Sequence, residues 1–423
     1  MLPIRACVLV LSLVCALPLA ATRPAFAGPA TDRPAPTLDE ELPSVELYTI
    51  GQGVILFEKF GHAVLCLRYP SNPRRDTCYN YGTADFGAPI SLGWGFFRGE
   101  DVFWLGPSTP QRMFRFYHGE DRSMWRQVLP LSPDQVRALI AKLNHDSDPA
   151  HRNFRYEFFT ENCTTKLRDI LDEVTGGKLR ENSSASTGVT FRDLARQGLA
   201  DDTIVLLASD FVLSRSTDQP ISQWDMMFLP SYFATEIEKR FGVAPELVYQ
   251  RRGPPVGSDP GWGGRGYLLL FILLFSVPAL AGRLLRRYEK GTLRLALVPL
   301  SLFGLVVWFM SAICPMPELR INEALLVFLP IDLVLFKRTA WRQRYAQARL
   351  GMLVVVTLLL AIGVFEQPLW IPMLIAYFPI LALALPDHIG AAQHEHEEPA
   401  ANKPLAPARP PGKAKQSKPR KRR

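Results

Sequence analysis

Residues 153–177 read NFRYEFFTENCTTKLRDILDEVTGG, and the pattern of this segment predicts both its local structure and its chemistry. Apolar residues recur at helical spacing and a pair of glycines follows them: Leu167, Ile170, Leu171, Val174, Gly176 and Gly177. Cys163 comes four residues before Leu167, so it opens this predicted helix on the inward face. Free backbone N–H groups and the helix dipole favour a thiolate at such a position. The pattern predicts an activated cysteine, and a buried inert thiol is the alternative.

A nucleophilic thiol needs an imidazole base and a group that orients the imidazole. The same part of the chain has four histidines: His62, His118, His145 and His151. The last three lie in polar loops or a turn, which favours surface positions. His62 instead opens HAVLCLRY, an alternating run that predicts a half-buried strand. The next strand, CYNYG, places Asn80 where its amide can orient the ring. A strand histidine is more often structural, and only the pairing with Cys163 makes His62 the candidate base.

Two further cysteines, Cys66 and Cys78, flank a loop rich in proline, asparagine and arginine between two strand-like runs. The two residues can therefore face each other across a hairpin, and an exported, oxidising setting permits a disulfide between them. Cys163 is then the odd cysteine of this domain, which marks it as a candidate free thiol.

Both ends of the chain have the composition of segments outside a folded domain. Residues 1–27 combine Arg5, an apolar stretch and small residues at a cleavage spacing, which predicts a signal peptide or an uncleaved anchor. Residues 28–43 are rich in proline and form a predicted linker. Residues 387–423 are rich in Pro, Ala and Lys without an apolar period, which predicts a disordered basic cytoplasmic tail.

Between these ends the chain divides into a part of soluble character, residues 44–260, and an apolar part, residues 266–386. Five apolar runs in the second part predict a transmembrane region of about five helices: 266–282, 295–313, 324–336, 350–365 and 367–386. Basic residues cluster in the alternate connections 283–294 and 337–349, and positive loops face the cytoplasm. We therefore expect a multi-pass protein of the bacterial inner (cytoplasmic) membrane, with residues 44–260 in the periplasm.

Asp332 lies within the third apolar run, where a charge is costly and usually faces a partner inside the bundle. The run is short, and Lys337 and Arg338 follow shortly after the aspartate. We expect a structural anchor at the inner interface that pairs with one of these two residues, rather than a role in a substrate channel.

The overall charge of the chain has a local origin. Nine of the 48 Lys and Arg residues lie between positions 403 and 423, which leaves 39 basic against 40 acidic residues elsewhere. The folded part is therefore balanced, and no nucleic-acid partner is expected. The sequence contains no HExxH or GxxxxGK[ST] motif, and neither a metal nor another cofactor is predicted. Oligomeric state is unknown from the sequence.

Several of these segments together resemble one protein family. FGHAVLCLRY, CYNYGTADFG, FFTENCTTKLRDIL and the later SDFVLSRSTDQPISQWDMMFLP resemble the periplasmic domain of the Lnb-type lipoprotein transacylases. The resemblance implies an α+β papain-like (NlpC-like) domain, circularly permuted so that the histidine precedes the cysteine, here followed by an all-α transmembrane bundle. It matches Cys163 to the family nucleophile and His62 to the family base. Asn80 is a weaker match for the orienting group, and Asp85 is its rival.

The resemblance implies a membrane-anchored periplasmic cysteine acyltransferase. Its substrate would be an acyl ester of a membrane lipid or a lipoprotein, its intermediate an acyl-thioester, and its oxyanion hole the backbone N–H groups at the start of the Cys163 helix. Two alternatives remain open: a papain-like or NlpC-like amidase or peptidase acting on peptidoglycan or protein, and an inactive membrane scaffold. The aromatic run GWGFFRGEDVFWLG can line an acyl groove, touch the membrane interface or pack in the core: Trp94, Phe96, Phe97, Phe103 and Trp104.

Overall fold

The structure is a computed structural model that describes residues 41–257, 259–286, 288–336 and 341–386. The predicted signal peptide, residues 28–40 of the predicted linker and the predicted cytoplasmic tail lie outside these residues.

A mixed α/β domain comes first, built on an antiparallel sheet. Its strands are β1 Ser44–Ile50, β2 His62–Arg68, β3 Thr77–Thr83, β4 Phe103–Ser108, β5 Met124–Leu129, β6 Asn153–Phe154, β7 Ser186–Thr190, β8 Pro220–Ser222 and β9 Glu246–Tyr249. Among the described residues, seven of these strands form one sheet in the order β6-β4-β3-β2-β1-β5-β9, and β7 pairs with β8 in a separate ribbon. β2 and β3 are central neighbours, so their ends share one end of the sheet.

Helices cover both faces of the sheet. Those of this domain are α1 Pro89–Phe97, α2 Pro110–Gly119, α3 Pro133–Ser147, α4 Cys163–Val174, α5 Phe191–Gly198, α6 Thr203–Val212, α7 Gln223–Met226 and α8 Pro230–Phe241. Leu65 and Leu67 of β2 pack with α3, α4 and α8 on one face, whereas Val64 and Cys66 pack with α2 on the other. Successive strand residues point to opposite faces, so burial on both sides explains the continuous apolar run in this strand.

The strand pairing also explains the cysteines of the hairpin. Cys66 and Cys78 are direct partners in the register between β2 and β3, and they form a disulfide. The two free cysteines of the described residues are Cys163 and Cys314, and both are buried.

A helical region follows. Its helices are α9 Arg265–Leu284, α10 Glu289–Ile313, α11 Pro317–Arg320, α12 Ala324–Val327, α13 Arg342–Ala361 and α14 Trp370–Ala384. Within the described part of the chain, α9, α10 and α13 are long and apolar enough to cross a membrane, and α14 is a shorter apolar helix. The third predicted span is instead divided between α12 and a 3-10 helix, Pro330–Phe336. A count of five spans stays a prediction.

One basic residue assigned to a cytoplasmic loop belongs to a helix. We predicted that the fourth span begins near residue 350, but α13 begins at Arg342, and Arg349 is buried inside the bundle. Its Nε lies 3.3 Å from Asp332, and its two terminal nitrogens donate to the carbonyls of Leu326 and Val327 at 2.9 and 2.6 Å. Arg349 thus satisfies carbonyls released where the third apolar run breaks, which makes irregular backbone tolerable inside a bundle.

Asp332 faces the bundle interior and is fully buried. In the described part of the chain its partners are Arg349 and the hydroxyl of Tyr345, which donates at 2.9 Å. The expected partners Lys337 and Arg338 lie outside that part.

The mixed domain rests on the ends of the apolar helices through backbone hydrogen bonds. Asn322 donates to the carbonyls of Phe211 and Val212 at 2.8 and 2.9 Å, and Gln367 donates to the carbonyl of Leu213 at 2.5 Å. Asn322 lies in a connection expected on the periplasmic side, and Gln367 is the first residue of the fifth predicted run at that same side, so this contact agrees with the predicted orientation.

Candidate active site

The first turn of α4 is fixed by a capping box. The Asn162 carboxamide oxygen accepts from the backbone N–H groups of Thr164 and Thr165, both at 2.9 Å, and the Thr165 hydroxyl accepts from the Asn162 N–H at 2.7 Å. Such reciprocal bonds satisfy the N–H groups that a helix start leaves free. Cys163 is therefore held as the first residue of the helix, with its own N–H outside the box.

His62 and Asn80 meet because of the register between β2 and β3. Leu65 pairs with Tyr79, and the same register continued places His62 opposite Gly82. Asn80 is then the diagonal neighbour of His62 on the same face of the sheet. The His62 Nε2 lies 2.5 Å from the Asn80 Oδ1, which leaves Nδ1 to face the cysteine.

The thiol of Cys163 lies at this end of the sheet, because α4 packs on β2 and β3. Burial raises the pKa of Cys163, but the charge of His62 and hydrogen bonds from His62, Thr164 and the Ala63 backbone N–H lower it, and the result is a pKa of about 7. The ordinary value is 9.0. A large part of the thiol is therefore ionised near neutral pH.

The other candidates lie elsewhere. Asp85, the rival to Asn80, is exposed, and its carboxylate accepts from the N–H of Gly87 at 3.0 Å within its own loop. The ring of His118 packs against Tyr249 at 4.6 Å between ring centroids. His145 and His151 stack on each other. The structure thus brings together His62, Asn80 and Cys163, and their catalytic roles stay predictions.

Tyr156 also belongs to the site, and the sequence analysis did not predict it. Its hydroxyl is hydrogen-bonded to both the side chain and the backbone N–H of Cys163, and burial raises its pKa. A bridge between Glu157 and Glu161 folds the loop back, so the residue before it comes beside the start of α4. The only hint in the sequence is a tyrosine at the far end of the polar loop that leads to the cysteine.

Gly82 forms a wall of the site without a side chain. Its φ of +98° lies in the region that favours glycine. A Cβ at this position would contact Tyr156, Cys163 and His62 at 3.5, 3.8 and 4.0 Å. The three side chains therefore converge on the space that this glycine leaves open.

The residues of the aromatic run have different surroundings. Phe103 is buried, and its ring lies 4.6 Å from that of Tyr156. Phe96 and Phe97 pack against the end of α10 at Met310. Two further residues complete the run: Trp94, which stacks on Phe309 of α10, and Trp104, which lies under Arg152. Aromatic side chains thus extend from the thiol to the apolar helices.

No group of three or more His, Cys, Asp or Glu side chains within residues 41–257, 259–286, 288–336 and 341–386 is arranged to hold a metal ion.

A mixed α/β domain that brings a cysteine, a histidine and an asparagine together is joined to helices long and apolar enough to cross a membrane, and this arrangement fits a membrane protein. Residues 40–197 match the family model described as the Lnb N-terminal periplasmic domain. The resemblance seen in the sequence is therefore confirmed for this part of the chain. Neither the comparison with curated proteins nor that with solved structures gives a match.

Proposed function

We propose that the protein is a membrane-anchored periplasmic acyltransferase that modifies lipoproteins through an acyl-thioester on Cys163. The Lnb-type domain suggests a lipoprotein-modifying role. The observation that supports the thiol chemistry is the chain of contacts from Asn80 through His62 to a thiol with a pKa of about 7. A permuted papain-like fold is part of this proposal, and it is supported by the cysteine at the start of a helix packed on the strand of the histidine.

In the first half-reaction, the Cys163 thiolate attacks the carbonyl carbon of an acyl ester. A C–S bond forms, and the ester C–O bond breaks as the tetrahedral intermediate collapses. The His62 imidazolium gives its proton to the departing alkoxide, which leaves as an alcohol. Asn80 keeps the imidazole turned toward both the sulfur and the leaving oxygen.

The oxyanion of this intermediate requires hydrogen-bond donors. We predicted backbone N–H groups at the start of the Cys163 helix, but those of Thr164 and Thr165 are bound to the Asn162 side chain. The Cys163 N–H remains, and it faces the hydroxyl of Tyr156. We assign the oxyanion to these two donors. The Tyr156 hydroxyl would turn from the thiol to the substrate oxygen.

In the second half-reaction, an amine attacks the thioester carbonyl. A C–N bond forms, the C–S bond breaks, and the amine proton passes to His62 as the thiolate returns. The N-terminal cysteine amine of a lipoprotein is the acceptor that this role requires. Water in the same position would release a fatty acid instead.

The surroundings of the thiol support an acyl substrate over a polar peptide. Phe103 and Phe96 lie against Tyr156 with ring centroids 4.6 and 6.3 Å away, and Phe96 continues to the end of α10. An apolar path toward the membrane suits a fatty acyl chain, whereas an amidase acting on peptidoglycan needs an open polar cleft.

The test uses the purified full chain in phospholipid vesicles with a diacylated lipopeptide, and in parallel with muropeptides. We expect an acyl adduct on Cys163 that neutral hydroxylamine removes, and an N-acylated lipopeptide by mass spectrometry. Cys314→Ala is the matched control, because it removes the second free buried cysteine of the residues that the structure describes. Cleavage of muropeptides without any acyl adduct would replace the proposal with the amidase alternative.

A further inference from the structure

Large apolar side chains are exposed in three neighbouring segments of the mixed domain. Between 39% and 76% of each is accessible: Val54, Leu56, Phe57, Phe86, Ile90 and Trp94. We call this set the apolar rim. A continuous exposed apolar surface on a folded domain marks an interaction site.

The apolar rim borders the site. Phe57 lies in the connection from β1 that ends at His62, and Phe86 lies in the loop that leaves β3 just after Gly82. Because β2 and β3 are antiparallel, both loops emerge at the end of the sheet where the thiol lies. The rings of Phe57 and Phe86 are in edge contact, with centroids 6.3 Å apart, so the two loops form one surface.

The charges of the first loop are turned inward. Residues 51–61 contain one acid and one base, Glu58 and Lys59. Lys59 is buried in an ion pair with Asp201 at 2.6 Å, and Glu58 lies 3.7 Å from the buried Arg122. A loop in water normally shows the opposite arrangement, with charges outside and apolar groups inside. The inverted arrangement is what a loop in contact with lipid requires.

The apolar rim is continuous with the apolar helices. Ile90 and Trp94 are one turn apart and lie on the same side of α1. Trp94 stacks on Phe309, with ring centroids 6.2 Å apart, and Phe309 is itself half exposed. Phe309 lies four residues, or about 6 Å, from the end of α10 at Ile313. This depth corresponds to the zone between lipid headgroups and acyl chains, where tryptophan is enriched.

We propose that the apolar rim inserts into the outer leaflet of the membrane that holds α10, so that the thiol meets acyl esters directly from the bilayer. The insertion stands on the exposed side chains, the inward charges of residues 51–61 and the contact with α10. The substrate it delivers, a glycerolipid or lipoprotein acyl ester, rests on the proposed function.

The first test measures insertion without using activity. Phe57→Cys and Ile90→Cys, each in a full-length Cys163→Ala, Cys314→Ala background, are labelled with a nitroxide in nanodiscs of phosphatidylethanolamine and phosphatidylglycerol. We expect accessibility to oxygen and protection from a water-soluble nickel complex. Leu247→Cys is the matched control, because Leu247 is half exposed on the edge strand β9, and its label should show the reverse. Equal nickel accessibility at all three sites overturns the proposal, as does spin–spin broadening that shows a second copy covering the rim.

The second test measures delivery of substrate. Phe57→Ser with Phe86→Ser should lower acylation of Cys163 from vesicle phospholipid at least about tenfold, while p-nitrophenyl acetate, a small soluble ester, acylates the thiol within twofold of the original rate. Leu247→Ser should change neither rate. Equal losses on both esters contradict delivery from the bilayer. If the unaltered protein is acylated by neither ester, the proposed function fails, and the nitroxide measurement still decides whether the rim is inserted.

Discussion

Two groups of three polar side chains, one in each half of the molecule and each mostly buried, have opposite characters. In the helical region, Asp332 accepts from Tyr345 and Arg349, and the remaining nitrogens of Arg349 donate to backbone carbonyls. In the mixed domain, His62 lies between Asn80 and the Cys163 thiol, and Gly82 leaves open space beside them.

The two groups differ in how many hydrogen-bonding atoms each can still offer to a substrate. A buried ion pair whose donors are all occupied can hold irregular backbone together, but it has nothing to offer a reacting molecule. At the thiol, the Tyr156 hydroxyl is bonded to the Cys163 N–H and to the sulfur, and these bonds can be exchanged for bonds to a substrate oxygen. Burial alone therefore does not distinguish a structural group from a reactive one.

The largest effect expected is that of removing the sulfur. Cys163→Ala should lower acyl transfer at least about 10³-fold, because loss of a nucleophile abolishes the covalent route. The measurement is lipopeptide N-acylation followed by mass spectrometry, with thermal unfolding to show that the variant folds. Cys314→Ala should retain activity within about twofold. Acyl transfer by Cys163→Ala at the original rate would show that the Cys163 thiol is not the nucleophile.

A smaller effect is expected for the tyrosine. Tyr156→Phe should lower kcat about 10²-fold with little change in KM, because it deletes one donor to the oxyanion and keeps the ring. Alkylation of Cys163 by iodoacetamide should continue at nearly the original rate, since the imidazole is untouched. If alkylation falls as far as acyl transfer does, Tyr156 acts on the thiol rather than on the transition state.

The imidazole controls the ionisation of the sulfur, and this sets a pH dependence. Alkylation of Cys163 should rise through a midpoint at about pH 7. His62→Gln should move that midpoint upward toward 9, which leaves the thiolate fraction about fiftyfold lower at pH 7. The pKa of Cys163 in the folded protein is below its ordinary value, so folding releases a proton between about pH 7 and 9. The interaction of His62 with Cys163 therefore stabilises the protein more as pH rises through that range. An unchanged midpoint in His62→Gln contradicts the assignment of the base.

The local sequence pattern was enough to predict the group formed by His62, Asn80 and Cys163. The spacing of Leu167 and Ile170 places Cys163 at a helix start, and strand alternation places His62 beside the strand of Asn80. Each of these inferences needs only neighbours along the chain. The disulfide was also within reach, because a hairpin fixes which residues oppose each other.

The other features depend on contacts that no local pattern contains. Tyr156 reaches Cys163 through a loop that folds back at the bridge of Glu157 and Glu161. Arg349 has the appearance of a loop residue because charges surround the start of α13, yet its partner is Asp332 on another segment. Hydropathy likewise predicts a single span from 324 to 336 and cannot detect the break that Arg349 stabilises.

The smallest effect on activity is expected for the group formed by Asp332, Tyr345 and Arg349, which we call the closed group because its donors are occupied. Asp332→Asn keeps an oxygen that can accept from Tyr345, but it removes the charge opposite Arg349. The hydrogen bonds of Arg349 to Leu326 and Val327 remain, so we expect a loss of roughly 1.5–3 kcal/mol in the stability of the helical region, the value of a hydrogen bond to a charged group. Arg349→Leu should cost more, about 3–5 kcal/mol, because it leaves a buried carboxylate and two carbonyls without their partner. Thermal unfolding in detergent measures both.

In each variant of this pair, acyl transfer by the folded fraction should stay within about twofold of the original rate, because the bonds between Phe211–Leu213 and the helix ends do not involve Asp332 or Arg349. Alkylation of Cys163 on the same samples reports whether the thiol site is intact. A folded Asp332→Asn protein that alkylates normally and yet loses transfer as completely as Cys163→Ala would show that the closed group takes part in the reaction. The distinction between the two buried groups would then rest on something other than free hydrogen-bonding capacity.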